Sequence, residues 1–167
     1  IFRHSSCQHP LIATAIAEIA SKDKANCAVI AATEGGVHQL LSMVAASDVG
    51  VVTQATRALG ELCRDPKLAR KLVDAKALQR ATGMISDAST TAVQICGLRM
   101  LSNLAFASEP ISRELFSETL LDRLMRLVRD GRDDDVRARG LEAMGNLAFE
   151  RSNRRAIARY ARALLSS

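Results

Sequence analysis

Met100-Leu-Ser-Asn-Leu-Ala105 returns as Met144-Gly-Asn-Leu-Ala148, and an echo of both stands at Ala58-Leu-Gly-Glu-Leu-Cys63. Aligned on their paired core positions, the phrases read Leu59/Leu62, Leu101/Leu104 and Met144/Leu147, at steps of 42 and 43 residues. A further step of 43 back from Leu59 reaches Ile16, with Ile19 as its partner. A fixed period of this length is the signature of a helical solenoid, in which no repeat can bury its apolar face alone. Such a chain is a stacked surface for holding something, and a pocket for chemistry would be incidental to it.

Each phrase closes a long helix. The core positions Val51, Ala55, Leu59 and Leu62 recur as Val93, Gly97, Leu101 and Leu104, then as Val136, Gly140, Met144 and Leu147. Spacings of four, four and three place each set on one face of a 3.6-residue helix. The small Ala/Gly/Gly position lets neighbouring helices approach, and a Leu there would overpack. The first helix, about 11–20, carries Ile12, Ile16 and Ile19 in the same register. Middle helices are expected at 37–44, 78–85 and 121–128. Short first helices are expected near 26–31, 66–73, 112–116 and 153–157, the last followed by a stub of a second. Pro66 and Pro110 suit helix starts, and Gly35-Gly36 breaks the chain between a first and a second helix. Ser47-Asp48, Ser86-Asp87 and Asp133-Asp134-Asp135 precede the long helices and suit their N-termini.

Leu101-Ser-Asn-Leu-Ala105, Met144-Gly-Asn-Leu-Ala148 and Glu34-Gly35-Gly36-Val37 with Leu40-Leu41 together resemble the armadillo-repeat family, whose third helix closes in Ala-Leu-x-Asn-Leu-Ala. The entry to the second helix departs from that pattern at Ala75-Lys76-Ala77-Leu78, which lacks the glycine, and at Glu118-Thr119-Leu120. The resemblance implies an all-α, right-handed superhelical α-solenoid of three-helix repeats, with HEAT-type repeats as the alternative. It divides residues 1–167 into a partial repeat at 1–20, repeats at 21–63, 64–105 and 106–148, and a partial repeat at 149–167. Ile157, Ala161, Leu164 and Leu165 form an apolar stripe near the end, which implies further repeats or a docked partner.

The resemblance also implies that the third helices line a concave groove. Its facing positions are Gln54, Arg57 and Glu61, then Cys96, Arg99 and Asn103, then Arg139, Glu142 and Asn146. In the family a ladder of Asn side chains grips the backbone amides of an extended peptide, a task that suits a side chain with both donor and acceptor. Arg57, Arg99 and Arg139 would add bidentate contacts to carboxylates or phosphates. Importin-alpha relatives carry a Trp four residues before the Asn; here those positions are Arg57, Arg99 and Glu142, and the chain has no Trp. The expected ligand is therefore an acidic or extended protein segment, not a basic signal.

A second basic feature is Arg151, Arg155, Arg159 and Arg162, spaced to stripe one helix side. It reads as a solvated face or as a contact for acidic protein or, less favourably, RNA. Single-stranded nucleic acid calls for stacking aromatics among the basic residues, and only Tyr160 is close.

Net charge is +5, and Arg supplies most of the 23 basic residues. The charge balance does not choose among acidic peptides, RNA and anionic surfaces. Cys7, Cys27, Cys63 and Cys96 show no Cys-x-x-Cys pair and read as buried thiols of a reducing compartment. An intracellular, cytoplasmic chain is expected, with a mitochondrial setting as the alternative. The acid-free first seventeen residues weakly resemble the end of a transit peptide. The chain starts at Ile1, as a fragment or processed product would.

His4, Cys7 and His9 could offer three metal ligands, but a structural zinc site wants four. Asp130 with Asp133-Asp134-Asp135 lacks the spacing of a calcium loop. No metal, cofactor or small-molecule substrate is expected, and no catalytic motif is present. The expected function is a non-catalytic protein-interaction scaffold. The alternative is a structural subunit of a large assembly, such as a mitochondrial respiratory or ribosomal complex or a flagellar structure, held by its ends and outer faces.

Overall fold

The computed structural model describes residues 9–131 and 133–165. They form helices joined by short turns, without strands among the described residues. The chain divides into two compact units, residues 1–80 and 81–167. The first holds α1 (His9–Lys22), α2 (Lys24–Ala32), α3 (Gly36–Met43), α4 (Val49–Leu62), α5 (Pro66–Asp74) and the start of α6 (Ala77–Met84). The second holds α7 (Thr91–Ala107), α8 (Glu109–Leu115), α9 (Glu118–Asp130), α10 (Asp134–Leu147) and α11 (Arg154–Leu165). Short, middle and long helices recur in the order that the period demands.

In the first unit α1 packs along α4. Asp48 caps α4 by accepting from the Gly50 and Val51 amides at 2.7 and 3.2 Å. Asp65 caps α5 in the same way, with Pro66 in the first turn. Each satisfies N–H groups that the first turn leaves without helical partners. The expected α4 core, Val51, Ala55, Leu59 and Leu62, is buried.

The α1 reading needs correction. Ala13, Ala17 and Ala20 are buried, whereas Ile12 and Ile19 are exposed and Ile16 is half-buried. The isoleucines occupy the register of Leu59 and Leu62, the face a third helix turns to its own first and second helices. The described residues cover that face only in part. The alanines instead let α1 and α4 approach closely.

The entry to the middle helix is solved in three ways. Gly35 precedes α3 at φ +73°, and Lys76 precedes α6 at φ +68°. Both sit in the left-handed region, which costs a residue with a Cβ about 1–2 kcal/mol. Before α9, Ser117 is extended and caps instead, its hydroxyl accepting from the Leu120 amide at 3.1 Å. The glycine missing from the repeat at 64–105 is thus missing from a turn that still needs it. Lys76→Gly should raise stability by roughly 0.5–1 kcal/mol, the strain relief less the entropy cost of glycine. A rise of about 2 °C in melting temperature would show it, and a fall would refute it.

In the second unit α7 and α10 run side by side, with α8 and α9 against them. Leu98, Leu101, Leu104, Leu121, Leu124, Val136, Met144 and Leu147 are buried. Val93, expected in the core, is only half-buried. The small positions do what their size implied. A Cβ on Gly97 would lie 2.7 Å from Met84 Cβ and 2.9 Å from Ile85 Cγ2, and one on Gly140 would lie 2.9 Å from Val128 Cγ2.

Two helix boundaries differ from expectation. Thr90, not Ser86-Asp87, caps α7, accepting from the Val93 amide. Ser86 is occupied within the preceding turn, its hydroxyl 2.9 Å from that of Ser89 and its carbonyl accepting from Gln94 Nε2. Second, α11 is one continuous helix, not a short first helix and a stub, because nothing between Arg154 and Leu165 breaks it: the stretch has neither Gly nor Pro. Its start is anchored by buried Asn153, whose amide donates to the carbonyls of Leu147 and Ser112 at 3.0 and 3.3 Å. Ile157 of the apolar stripe is buried. The side chains of Ala161, Leu164, Leu165 and Tyr160 lie outside the described residues.

Cys27, Cys63 and Cys96 are buried free thiols, and burial pushes Cys63 up to about 12. Cys7 lies outside the described residues.

Candidate binding face on the third helices

The face expected to line the groove is built by repetition. Each third helix puts one residue of a type on the surface per turn or two, and the 42- and 43-residue steps copy it. In the first unit this face is carried by α4. Arg57 is exposed and has no ion-pair partner among the described residues. Glu61 is tied to Arg64 at 3.0 Å. Gln54 is half-buried, and its Oε1 is enclosed without a hydrogen-bond partner.

In the second unit α7 and α10 carry the face. Arg99 is exposed without an ion pair among the described residues, and Asn103 is half-buried one turn on. Cys96, placed on the groove by register, is buried instead. It stands one position before Gly97, on the edge where α7 meets its neighbours. On α10, Arg139 Nη1 donates to Glu142 Oε2 at 2.6 Å.

Asn146 is not an unengaged rung of an Asn ladder. Its Nδ2 donates to the Ser102 hydroxyl at 2.6 Å and to the Ser102 carbonyl at 3.2 Å. The Ser102 hydroxyl in turn donates to Glu142 Oε1 at 3.3 Å. A chain Asn146–Ser102–Glu142–Arg139 therefore crosses between the two third helices. It fixes the amide's orientation and leaves Oδ1 as the group available to a ligand N–H. Arg139 also balances the Glu142 charge while Ser102 holds its other oxygen, so the spare charge on this face belongs to Arg99.

Sequence reasoning passed over two residues here. Phe106 and Phe149 follow the two Asn-Leu-Ala phrases and are 69% and 61% exposed. Their rings meet edge to face, centroids 6.1 Å apart and planes at 79°. The signal was present as the repeated phrase Asn-Leu-Ala-Phe in a chain with only 3% aromatics.

Arg151, Arg155, Arg159 and Arg162 are exposed, but they do not form one stripe. Arg155, Arg159 and Arg162 lie on α11, whereas Arg151 lies in the turn before it. Arg162 is engaged by another group. Arg154 closes the end of α10, donating to the carbonyls of Ala148 at 2.9 Å and Phe149 at 3.1 Å. Glu150 is buried beside it. Hydrogen bonds from the Ser152 hydroxyl and amide, with Arg113, hold its carboxyl below the usual range.

The aspartates serve as helix-start residues. Asp133 accepts from the Asp135 and Val136 amides at 2.9 and 3.1 Å, and Asp134 pairs with Arg137. No cluster of potential metal ligands occurs among the described residues. The His4–Cys7–His9 triplet lies outside them. Among the described residues no helix is long and apolar enough to cross a membrane.

No protein-family model matches the chain. The chain is similar in structure to a designed armadillo repeat protein, with a TM-score of 0.73 and 18% identity, over 85% of this chain and 59% of that one. The fold is an armadillo-repeat solenoid. A second armadillo design, solved in complex with the peptide (KR)4, gives a TM-score of 0.70 at 19% identity over 80% of this chain and 55% of that one. An engineered protein gives 0.75 at 23% identity over 86% and 59%. Among curated proteins, phospholipase A I of Arabidopsis thaliana is 35% identical over 124 residues. That match spans 74% of this chain and 9% of phospholipase A I.

Proposed function

We propose that this chain is a non-catalytic protein-interaction scaffold whose third helices hold an extended, acidic segment of a partner. The observation that carries the reading is the α7–α10 face: exposed Arg99 without an ion pair among the described residues, Asn103 beside it, and Asn146 locked in place by Ser102. A face ordered before binding costs little conformational entropy on association. One of the armadillo designs holds a basic peptide. The guanidiniums of Arg57 and Arg99, without ion pairs among the described residues, call for the opposite charge here. The proposal takes residues 1–167 as a single array, with the partial units at either end, and assigns it to an intracellular, cytoplasmic or mitochondrial, setting that suits its buried thiols.

The name phospholipase A I raises hydrolysis as a competing idea. The matched stretch is a small part of that protein. A cavity of about 570 Å³ in the second unit is lined by Ser89 and Thr91 beside Asp87, Asp130 and Arg126, and it brings no histidine or cysteine to either hydroxyl. That set does not activate a nucleophile. The structural-subunit reading rests on a different observation: Leu11, Ile12 and Ile19 of α1 are 74%, 36% and 48% exposed. An apolar face of that kind suits a neighbouring subunit.

The test is fluorescence anisotropy with a labelled eight-residue peptide of alternating Asp and Glu, against (KR)4. The acidic peptide should bind and the basic one should not. Arg99→Glu should weaken the acidic peptide roughly threefold to tenfold, with the loss shrinking as salt screens the charge. Equal binding of both peptides, or an unchanged affinity in a folded Arg99→Glu protein, would refute the acidic-groove reading.

A further inference from the structure

The geometry points to the Phe106–Phe149 ring pair as an apolar anchor subsite, taking one bulky apolar side chain of a partner segment whose flanking residues are acidic. The inference rests on the reading of α7 and α10 as a binding face and specifies what that face takes.

Phe106 is an anomaly for a structural residue. It belongs to a repeat that is followed by α8, α9 and α10, so its own successor is in place. That successor supplies Phe149 as an edge-to-face neighbour, and Phe106 still remains 69% exposed. Leu141 makes the contrast. It is 52% exposed at the α10 position equivalent to Leu98 on α7. Leu98 is one turn before Ser102, on the edge that meets α10, and is fully buried. The exposure of Leu141 reflects an uncovered helix edge, and another third helix would cover it. Another repeat does not cover Phe106, because the one it has does not.

The position of the pair fits a role in recognition. Arg99, Asn103 and Phe106 stand four and three apart on α7, one stripe about 10 Å long. Glu142, Asn146 and Phe149 continue the same spacing on α10, the last just beyond the helix end. These two third helices thus each offer a charged position, an amide and an aromatic ring in order, whereas α4 has Arg57, Glu61 and Arg64 at the equivalent places. Two rings at 79° leave one face and one edge open, a wedge suited to a leucine, methionine or aromatic side chain. Arg154 pins the backbone beneath Phe149 through two carbonyls, so the second ring rests on a fixed support.

Charge chooses the flanks. Glu142 is held by Arg139 and Ser102, and Glu150 is buried under Arg113 and Ser152. Glu109, at the start of α8, is the exposed carboxylate next along the chain from Phe106. Against it stand Arg99, Arg151 and Arg155, exposed and without ion pairs among the described residues. The partner of matching chemistry is an acidic segment interrupted by a single large apolar residue.

A double-mutant cycle tests this. The probes are two fluorescein-labelled peptides, three acidic residues on either side of a central Leu or of a central Ala. The proteins are the wild type, Phe106→Ala/Phe149→Ala and Arg99→Glu, each checked for native helicity. The Leu peptide should bind wild type about tenfold tighter than the Ala peptide, and the preference should vanish in the double Phe variant. Phe106→Leu/Phe149→Leu, which keeps the apolar surface, should restore part of it and serves in place of the alanine variant if that one misfolds. Equal affinity of both peptides for wild type, with Arg99→Glu still weakening them, would overturn the anchor and leave the groove. Failure of either peptide to respond to Arg99→Glu would overturn the groove itself.

Discussion

Leu104→Ala should cost about 2–5 kcal/mol of unfolding free energy, the range for deleting a fully buried leucine and leaving part of its cavity behind. Leu104 has no exposed surface. It is the second member of the repeated core pair, in the last turns of α7, where α8 and α10 both pack against the helix. The lost methyl and methylene groups account for part of the cost, and the rest comes from contacts that surrounding side chains cannot remake. Folded domains hold only about 5–15 kcal/mol in total, so this one change removes a large fraction. Leu141→Ala is the control. Its residue type is the same and it lies on the adjacent long helix, but it is 52% exposed, and its loss should stay near 0.5 kcal/mol. Urea unfolding followed by circular dichroism separates the two. Equal midpoints for the two variants would mean that the α7 core is not organised around Leu104.

The contrast between these leucines shows what the 43-residue period could and could not say. Leu59, Leu62, Leu101, Leu104, Met144 and Leu147 were legible because each sits in a repeat whose own first and second helices are present to bury it. Ile12, Ile16 and Ile19 carry the same pattern and are not buried. Periodicity tells which face of a helix wants cover, and says nothing about whether the covering element is there. The alanines that bury α1 gave no signal, because alanine is at home on any helix face. Caps followed a similar rule. Asp48 and Asp133 stand immediately before their helices and were readable, whereas Ser86-Asp87 was a plausible cap displaced by Thr90, three residues on. Helix boundaries are decided by which side chain can reach an amide, a matter of a few residues that composition does not resolve.

The face proposed for binding was legible in register but not in state. Arg99 and Asn103 are where the spacing put them. Asn146 is too, yet its donors are spent on a serine 44 residues earlier, and no local pattern reveals a partner at that distance. Cys96 failed by one position: a helical register is good to about a third of a turn, and at the edge of a face that is the difference between solvent and core. Phe106 and Phe149 were visible as a repeated letter, but exposed and buried phenylalanines look alike in a string.

Replacing Gly97 by Val should cost about 3 kcal/mol, near the upper end for overpacking a well-filled site. The cost follows from what a side chain meets there. Even a Cβ would sit 2.7 Å from Met84 Cβ, 2.9 Å from Ile85 Cγ2 and 3.0 Å from the Ala81 carbonyl oxygen. Two of these three atoms lie at or next to the backbone and cannot swing aside. Valine adds two methyl groups to a contact that is already too short, so α7 must move off α6. Helix propensity runs the other way, since glycine within a helix is worse than most residues by somewhat under 1 kcal/mol; the clash is several times larger and wins. Gly145 on α10 isolates the propensity term. A Cβ there meets nothing within 4 Å, so Gly145→Ala should stabilise by about 0.5–1 kcal/mol. The two substitutions move the unfolding midpoint in opposite directions if close helix approach is the reason for glycine at 97. Stabilisation by both would mean that α6 and α7 do not pack as closely as the small residue implies, and the repeat would lose the feature that sets its helix spacing.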